Sequence, residues 1–213
     1  MFPAWFAQPQ EDWPQPLVLA DFPLYDHGEV QPLSPELLRF IEAGPPPVGI
    51  SAGTATASAQ QFFQTSIAAC QAAGLRAILL SPFAGHIPQN LPDGIMHVSY
   101  APYGSLLPRL AAFVHHGGIG STSQALRAGV PQLIRPVAYD QFHNSARTVE
   151  LGVGRELLVK QYTLRDVAKV LSTLTDDPAI KQRCKEVAQR FGENNGIKIA
   201  ADAIEISLLR RKM

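Results

Sequence analysis

From residue 47 onward the chain alternates short apolar runs with longer stretches of helical period, and no two runs are joined by a hairpin turn. The apolar runs fall at 48–51, 77–81, 96–99, 112–115, 132–135 and 156–159, and helical patterns fill 58–73, 105–110, 121–128 and 142–151. Strands never linked by tight turns run parallel, and parallel strands need crossover helices. The chain is therefore expected to form an α/β domain, a doubly wound parallel sheet with helices on both faces. Three C-terminal helices should follow. Thr163 with Asp166 makes a capping box for the first, Asp177-Pro178 starts the second, and the third runs from about 196 to the end.

The charge distribution agrees with a buried sheet. The chain has 18 basic and 18 acidic residues, but 43–149 holds only two acids and five bases. Strands buried on both faces read this way, with Ser, Thr, Gly and His left as the polar positions. A net charge of zero gives no long-range attraction for a phosphate backbone, so composition does not support nucleic-acid binding.

Ten of the 18 prolines lie within residues 1–47, which rules out a long helix there. Residues 1–44 are expected to be a proline-rich linker or arm, and 45–213 the ligand-binding domain. Within the arm, 17–20 can pair as a short edge strand, and Ser34 can cap a short helix with Pro35 at its first position. Cys70 and Cys184 lie far apart in helical patterns, with no disulfide or metal spacing. No signal-peptide pattern opens the chain and no run of apolar residues is long enough to span a bilayer, so a soluble, cytoplasmic protein without a membrane span is expected.

In doubly wound sheets ligands bind beyond the carboxyl ends of the strands. The strongest loop there is 115–126, His-His-Gly-Gly-Ile-Gly-Ser-Thr-Ser-Gln-Ala-Leu. An apolar strand enters a glycine-rich turn that opens a helix, so exposed amides and the helix dipole can hold an anion approached closely by the backbone. The same glycines also suit a tight turn that needs them for geometry alone. His115 and His116 are adjacent on a strand, point to opposite faces and cannot chelate one metal together. One belongs in the core and the other can donate to a diphosphate; strand direction alone does not say which.

Two more loops are small and polar. Residues 51–58, Ser-Ala-Gly-Thr-Ala-Thr-Ala-Ser, either cap the next helix or face a phosphate. In 136–144, Pro-Val-Ala-Tyr-Asp-Gln-Phe-His-Asn, Asp140 either caps a helix or joins Gln141 in gripping vicinal sugar hydroxyls. Motifs of P-loop nucleotide triphosphatases, zinc peptidases, serine hydrolases, Cys-x-x-Cys redox sites and Asp-x-Asp metal sites are all missing from the sequence. A nucleotide or nucleotide-sugar site without metal or cofactor remains. An NAD(P)-binding oxidoreductase is one alternative, because Gly118-x-Gly120 follows a strand and Asp140 lies downstream. However, the third fingerprint position is Ser123 and the motif sits on a central strand. A noncatalytic sugar-nucleotide-binding module is the other.

Residues 115–122, with Ala-Gly-Val-Pro-Gln at 128–132 and Asp-Gln-Phe-His-Asn at 140–144, resemble the donor-binding signature of GT-B glycosyltransferases. Within that class the match is to UDP-glycosyltransferases and to bacterial sterol, macrolide and glycopeptide glycosyltransferases. Upstream, Tyr-Ala-Pro-Tyr-Gly-Ser-Leu-Leu-Pro at 100–108 and Ala-Gly-Thr at 52–54 resemble further parts of the signature, and the likeness covers about 46–152. It implies the Rossmann-like, C-terminal half of such an enzyme, with a UDP- or dTDP-sugar as donor. His116 and the amides of Gly118, Gly120, Ser121 and Thr122 would then hold the diphosphate, with Gly53 and Thr54 facing it. Ser99 and Tyr100 would lie against the base, where plant-type members carry Trp at the Tyr100 position. Gln124 would take a ribose position that is Glu in many members, and Asp140 and Gln141 would take the sugar hydroxyls. The family's general base belongs to an N-terminal acceptor-binding domain or a separate chain. No catalytic residue is therefore expected here, and the chain alone should bind UDP weakly and transfer nothing.

Overall fold

The computed structural model describes residues 2–15, 17–24, 32–53, 59–192 and 196–210. Two compact units emerge, one formed by Met1–Tyr25 with Gln189–Met213 and the other by Asp26–Ala188. In chain order the elements of the second unit are α1 (Pro35–Glu42), β1 (Val48–Ser51), α2 (Ala59–Ala72), β2 (Ala77–Leu80), β3 (Ile95–Val98), α3 (Tyr103–Leu106), β4 (Ala112–His115), α4 (Ile119–Ala128), β5 (Gln132–Ile134), α5 (Gln141–Glu150), β6 (Gly154–Glu156), α6 (Leu164–Asp176) and α7 (Pro178–Ala188). The first unit carries α8 (Gly196–Arg210).

The strands form one six-stranded sheet in the order β3-β2-β1-β4-β5-β6, and every pairing is parallel. The chain winds outward from β1 in one direction and from β4 in the other. The crevice where the winding reverses therefore lies between the carboxyl ends of β1 and β4. Every residue of β1, β2 and β4 is buried, as the depleted charge of this stretch requires. Leu33, Leu37 and Ile41, from the proline-rich stretch, bury against Ile78, Leu80, Leu106, Leu107 and Phe113. Ser34 caps α1 by accepting from the Leu37 amide at 3.2 Å, with Pro35 in the first turn.

Four expectations need correction. Residues 17–20 form no strand; they belong to the unit without the sheet, and the Leu17 amide donates to Gln15 Oε1 at 3.2 Å instead. The last strand ends at Glu156, and the apolar run 157–159 leads into a 3-10 turn with Leu158 and Val159 exposed. Pairing starts at Gly154, opposite Gln132, and only glycine fits there, since a Cβ would meet Gln132 O at 2.6 Å. The helix expected over 105–110 splits into α3 and a 3-10 turn at Leu107–Arg109, where Pro108 has no amide to continue an α ladder. Finally, α4 begins at Ile119 rather than 121.

In α6, Thr163 Oγ1 accepts from the Asp166 amide at 3.2 Å and donates to Asp166 Oδ2 at 2.7 Å. In α7, Asp177 Oδ1 accepts from the Ala179 amide at 2.8 Å. The first unit is built on aromatic rings. Phe22 stacks on Phe191 at 5.7 Å and meets Phe6 edge-on at 5.1 Å, while Trp5 meets Phe191 at 5.3 Å. Cys70 and Cys184 are free and buried. Among the described residues, no helix is long and apolar enough to cross a membrane.

Candidate functional site

The turn from β4 to α4 separates the two histidines. His115 is fully buried, its Nε2 lies 2.9 Å from Gln132 Oε1, and its Nδ1 accepts from the Gly117 amide at 3.0 Å. That acceptor role fixes the proton on Nε2, which donates to Gln132. Burial pushes the His115 pKa down to about 3, the Gln132 bond opposing the shift. His115 is thus the core histidine, and it shapes the turn from below.

His116 faces the crevice, and its imidazole is seated between two glycines. A Cβ on residue 53 would stand 2.7 Å from its Cε1 and Nδ1, and one on residue 118 would stand 2.5 Å from its Nε2. Gly118 has an ordinary φ of −59°, so space alone demands glycine there. Gly53 and Gly118 therefore leave room for the imidazole. His116 Nδ1 is buried and has no hydrogen-bond partner among the described residues. Burial lowers the His116 pKa, and the nearby charge of Asp140 works against that shift. At neutral pH the ring is uncharged and offers one N–H.

Helix α4 starts at Ile119, and its N-cap residue, Gly118, brings no side chain to cap it. The Thr122 amide and hydroxyl both donate to the Gly118 carbonyl, at 3.0 and 3.1 Å. Thr122 is fully buried and so directs neither group outward. The amides of the first turn that precede this first helical bond are those of Ile119, Gly120 and Ser121; Ile119 was not expected among them. Among the described residues nothing lies within 4 Å of a Cβ placed on Gly120 at the helix start. Burial raises the Tyr103 pKa, and the Ser51 and Ser121 side chains beside its hydroxyl oppose that rise.

The loop after β5 brings the expected sugar-facing pair to the same edge. Asp140 sits at the start of α5 but makes no side-chain cap bond, which removes the capping alternative. Its Oδ2 accepts from Asn144 Nδ2 at 2.8 Å, and the same nitrogen donates to Gly117 O at 2.9 Å. Asn144, nearly fully buried, thereby ties the carboxylate to the β4–α4 turn. Gln141 Oε1 accepts from the amides of Val137 and Ala138 at 2.8 and 3.1 Å, leaving its amide nitrogen as the remaining donor. At the loop apex Tyr139 is 91% exposed with φ at +57°, a left-handed conformation that L-residues pay to adopt.

The other expected residues spread along the edge. Gly53 ends the described part of the β1 loop at φ +77°, and Thr54 lies outside the described residues. Ser99 and Tyr100 are exposed on the link from β3 to α3, and Gln124 is half-buried on α4. Asn144, Gly117, Ile119 and Tyr103 were not singled out from sequence. Asn144 had a signal, since it lies four residues after Asp140 on a helix. Among the described residues, no group of three His, Cys, Asp or Glu converges as metal ligands.

An uncapped helix start, a neutral imidazole and a positioned carboxylate beside an amide suit a ligand with an anionic centre and a polyhydroxyl end. Comparison with known proteins points the same way. The sequence model of the erythromycin biosynthesis protein CIII-like C-terminal domain matches residues 78–204. The chain is 33% identical over 195 residues to O-mycaminosyltylonolide 6-deoxyallosyltransferase from Streptomyces fradiae, covering 91% of this chain and 46% of that protein. It is 41% identical over 124 residues to vancomycin aglycone glucosyltransferase from Amycolatopsis orientalis, covering 58% of this chain and 30% of that one. Among solved structures, glycosyltransferase VinC in complex with DTDP superposes with a TM-score of 0.73 at 21% identity, over 96% of this chain and 50% of that one. Glycosyltransferase SnogD from Streptomyces nogalater gives 0.65 at 25% identity, over 96% and 53%. The chain spans about half the length of the first of these curated relatives.

Proposed function

Because the chain belongs to the family of erythromycin biosynthesis protein CIII-like C-terminal domains, we propose that it is the donor-binding half of a glycosyltransferase. The reaction moves a hexose from a UDP- or dTDP-sugar to an acceptor hydroxyl. The acceptor oxygen attacks the anomeric carbon, the bond from that carbon to the β-phosphate oxygen breaks, and the electron pair leaves with the nucleoside diphosphate. The amides opening α4 and the His116 N–H face the oxygens on which charge accumulates. Asp140 and Gln141 hold the sugar hydroxyls, and Gln124 takes the ribose. Neither cofactor nor metal takes part. The proton of the acceptor hydroxyl goes to a base on an acceptor-binding domain or separate chain. Free, buried thiols suit a reducing, cytoplasmic setting.

The observation that carries this reading is His116 seated between Gly53 and Gly118 at the open start of α4, under the influence of Asp140. Calorimetric titration with UDP, dTDP, UDP-glucose, NAD and NADP tests it. A uridine or thymidine diphosphate should bind, and Asp140→Ala should weaken UDP-glucose while sparing UDP. Tighter binding of NAD or NADP, or no binding of either diphosphate, overturns it.

A further inference from the structure

Arg135 follows directly on β5 and carries a charge that no carboxylate among the described residues pairs with. The residue is 7% exposed and its Nε is buried without a hydrogen-bond partner among the described residues. Its guanidinium carbon lies 5.7 Å from the Phe62 ring centre and 5.4 Å from that of Tyr162. Tyr162 supplies no countercharge either, since burial raises its pKa far above neutrality and keeps the phenol protonated. Two ring faces compensate a buried guanidinium only in part, and an isolated buried charge is costly.

Its position suggests what supplies the missing charge. His115 pairs with Ile134 in the β4–β5 ladder, and the Arg135 amide donates to His115 O at 2.9 Å. The next residues on the two strands are His116 and Arg135. Side chains alternate, and since His115 meets Gln132 on one face, His116 and Arg135 take the other. The only acids between residues 43 and 149 are Asp93 and Asp140, and Glu156 on the neighbouring β6 pairs with Ile134, which by alternation puts it on the face opposite Arg135. Asp140 is held by Asn144, while Asp93 precedes β3 at the opposite edge of the sheet.

We propose that Arg135 is a second diphosphate-binding residue, whose guanidinium anchors the donor's phosphates beside His116. This deepens the function proposed above and rests on it. A guanidinium brings a fork of donors and a fixed charge, where neutral His116 brings one N–H. As the sugar departs and charge builds on the diphosphate, a cation in so dry a setting acts with little screening.

The test compares wild type with Arg135→Met and Arg135→Lys, measuring UDP by calorimetry and uridine by ligand-detected NMR. Methionine should weaken UDP by about tenfold or more, the effect of losing one charged hydrogen bond. It should leave uridine within about twofold, the margin of a contact not disturbed. Its unfolding temperature without ligand should not fall, because a buried charge has been removed. Lysine should lie between the two. UDP affinity unchanged in Arg135→Met, or UDP and uridine weakened equally, overturns the assignment and leaves the guanidinium as a packing group against Phe62 and Tyr162. If the Met variant does not fold, the Lys variant decides on the same two ligands: a loss confined to UDP supports the assignment, and an unchanged UDP affinity overturns it. Wild type that binds neither UDP nor dTDP removes the underlying functional reading as well, which separates the two failures.

Discussion

Gly118 and Gly120 stand two residues apart and answer to different neighbours. A methyl on residue 118 strikes His116 Nε2 at 2.5 Å, whereas among the described residues one on residue 120 meets nothing within 4 Å. Gly118→Ala should displace the imidazole, lower stability by about 1–3 kcal/mol as overpacking does, and weaken UDP. Gly120→Ala should raise stability by up to about 1 kcal/mol, the difference in helix propensity. If a ligand's phosphates come close to that backbone, it should still weaken UDP. Urea melts and calorimetry on the two variants check both statements. His115 adds a pH dependence. Its folded pKa is about 3 against an ordinary 6.5, so the unfolded chain takes up the proton first and stability is lost as pH falls below 6.5. Between pH 7 and 5 this one group should remove about 2 kcal/mol, before most carboxylates titrate. Urea midpoints over that range measure it, and His115→Gln should flatten the profile. The sequence showed that the two histidines part ways. It could not say which goes inward, because that depends on Gln132, whose side chain reaches His115 only once β5 is paired with β4.

Among the elements, α5 does more than flank the sheet. Asn144 in its first turn holds both the Gly117 carbonyl and Asp140, so one side chain sets the spacing between the β4–α4 turn and the β5–α5 loop. Asn144→Ala leaves a buried carbonyl without its partner, at a cost of about 1–3 kcal/mol. It should also weaken UDP-glucose more than UDP, since Asp140 loses its support; thermal melts and paired titrations read the two effects. The element pattern itself was largely legible. Alternating apolar runs gave five of the strands within a residue or so, and Ser34, Thr163 and Asp177 marked helix starts correctly. The misplaced strand after Gly152 and the split at Pro108 have a common cause. Apolar content in 157–159 and 105–110 indicated burial, but pairing geometry and a missing amide decided the backbone.

For the whole molecule, the alternation of apolar runs and helical stretches announced a doubly wound parallel sheet, but the order β3-β2-β1-β4-β5-β6 was not legible, because right-handed crossovers allow more than one winding of parallel strands. The aromatic cluster of the first unit was not legible. Phe6, Phe22 and Phe191 sit in stretches without period, and nothing local says that they meet. That cluster joins the beginning of the chain to residues close to its end. A Cβ on Gly196 would lie 2.2 Å from Asp21 O, so the two segments are in intimate contact. Closing so long a loop from an unfolded chain is entropically expensive, and the expense falls once 26–188 is ordered. The segments 2–24 and 196–210 should therefore assemble after 26–188 and come apart before it. In native-state hydrogen exchange, the amides of α8 should open at a lower free energy than those of β1 and β4. Removing residues 2–24 should release α8 protection while leaving the sheet's slow exchangers in place, so that a cut at one end of the sequence registers at the other.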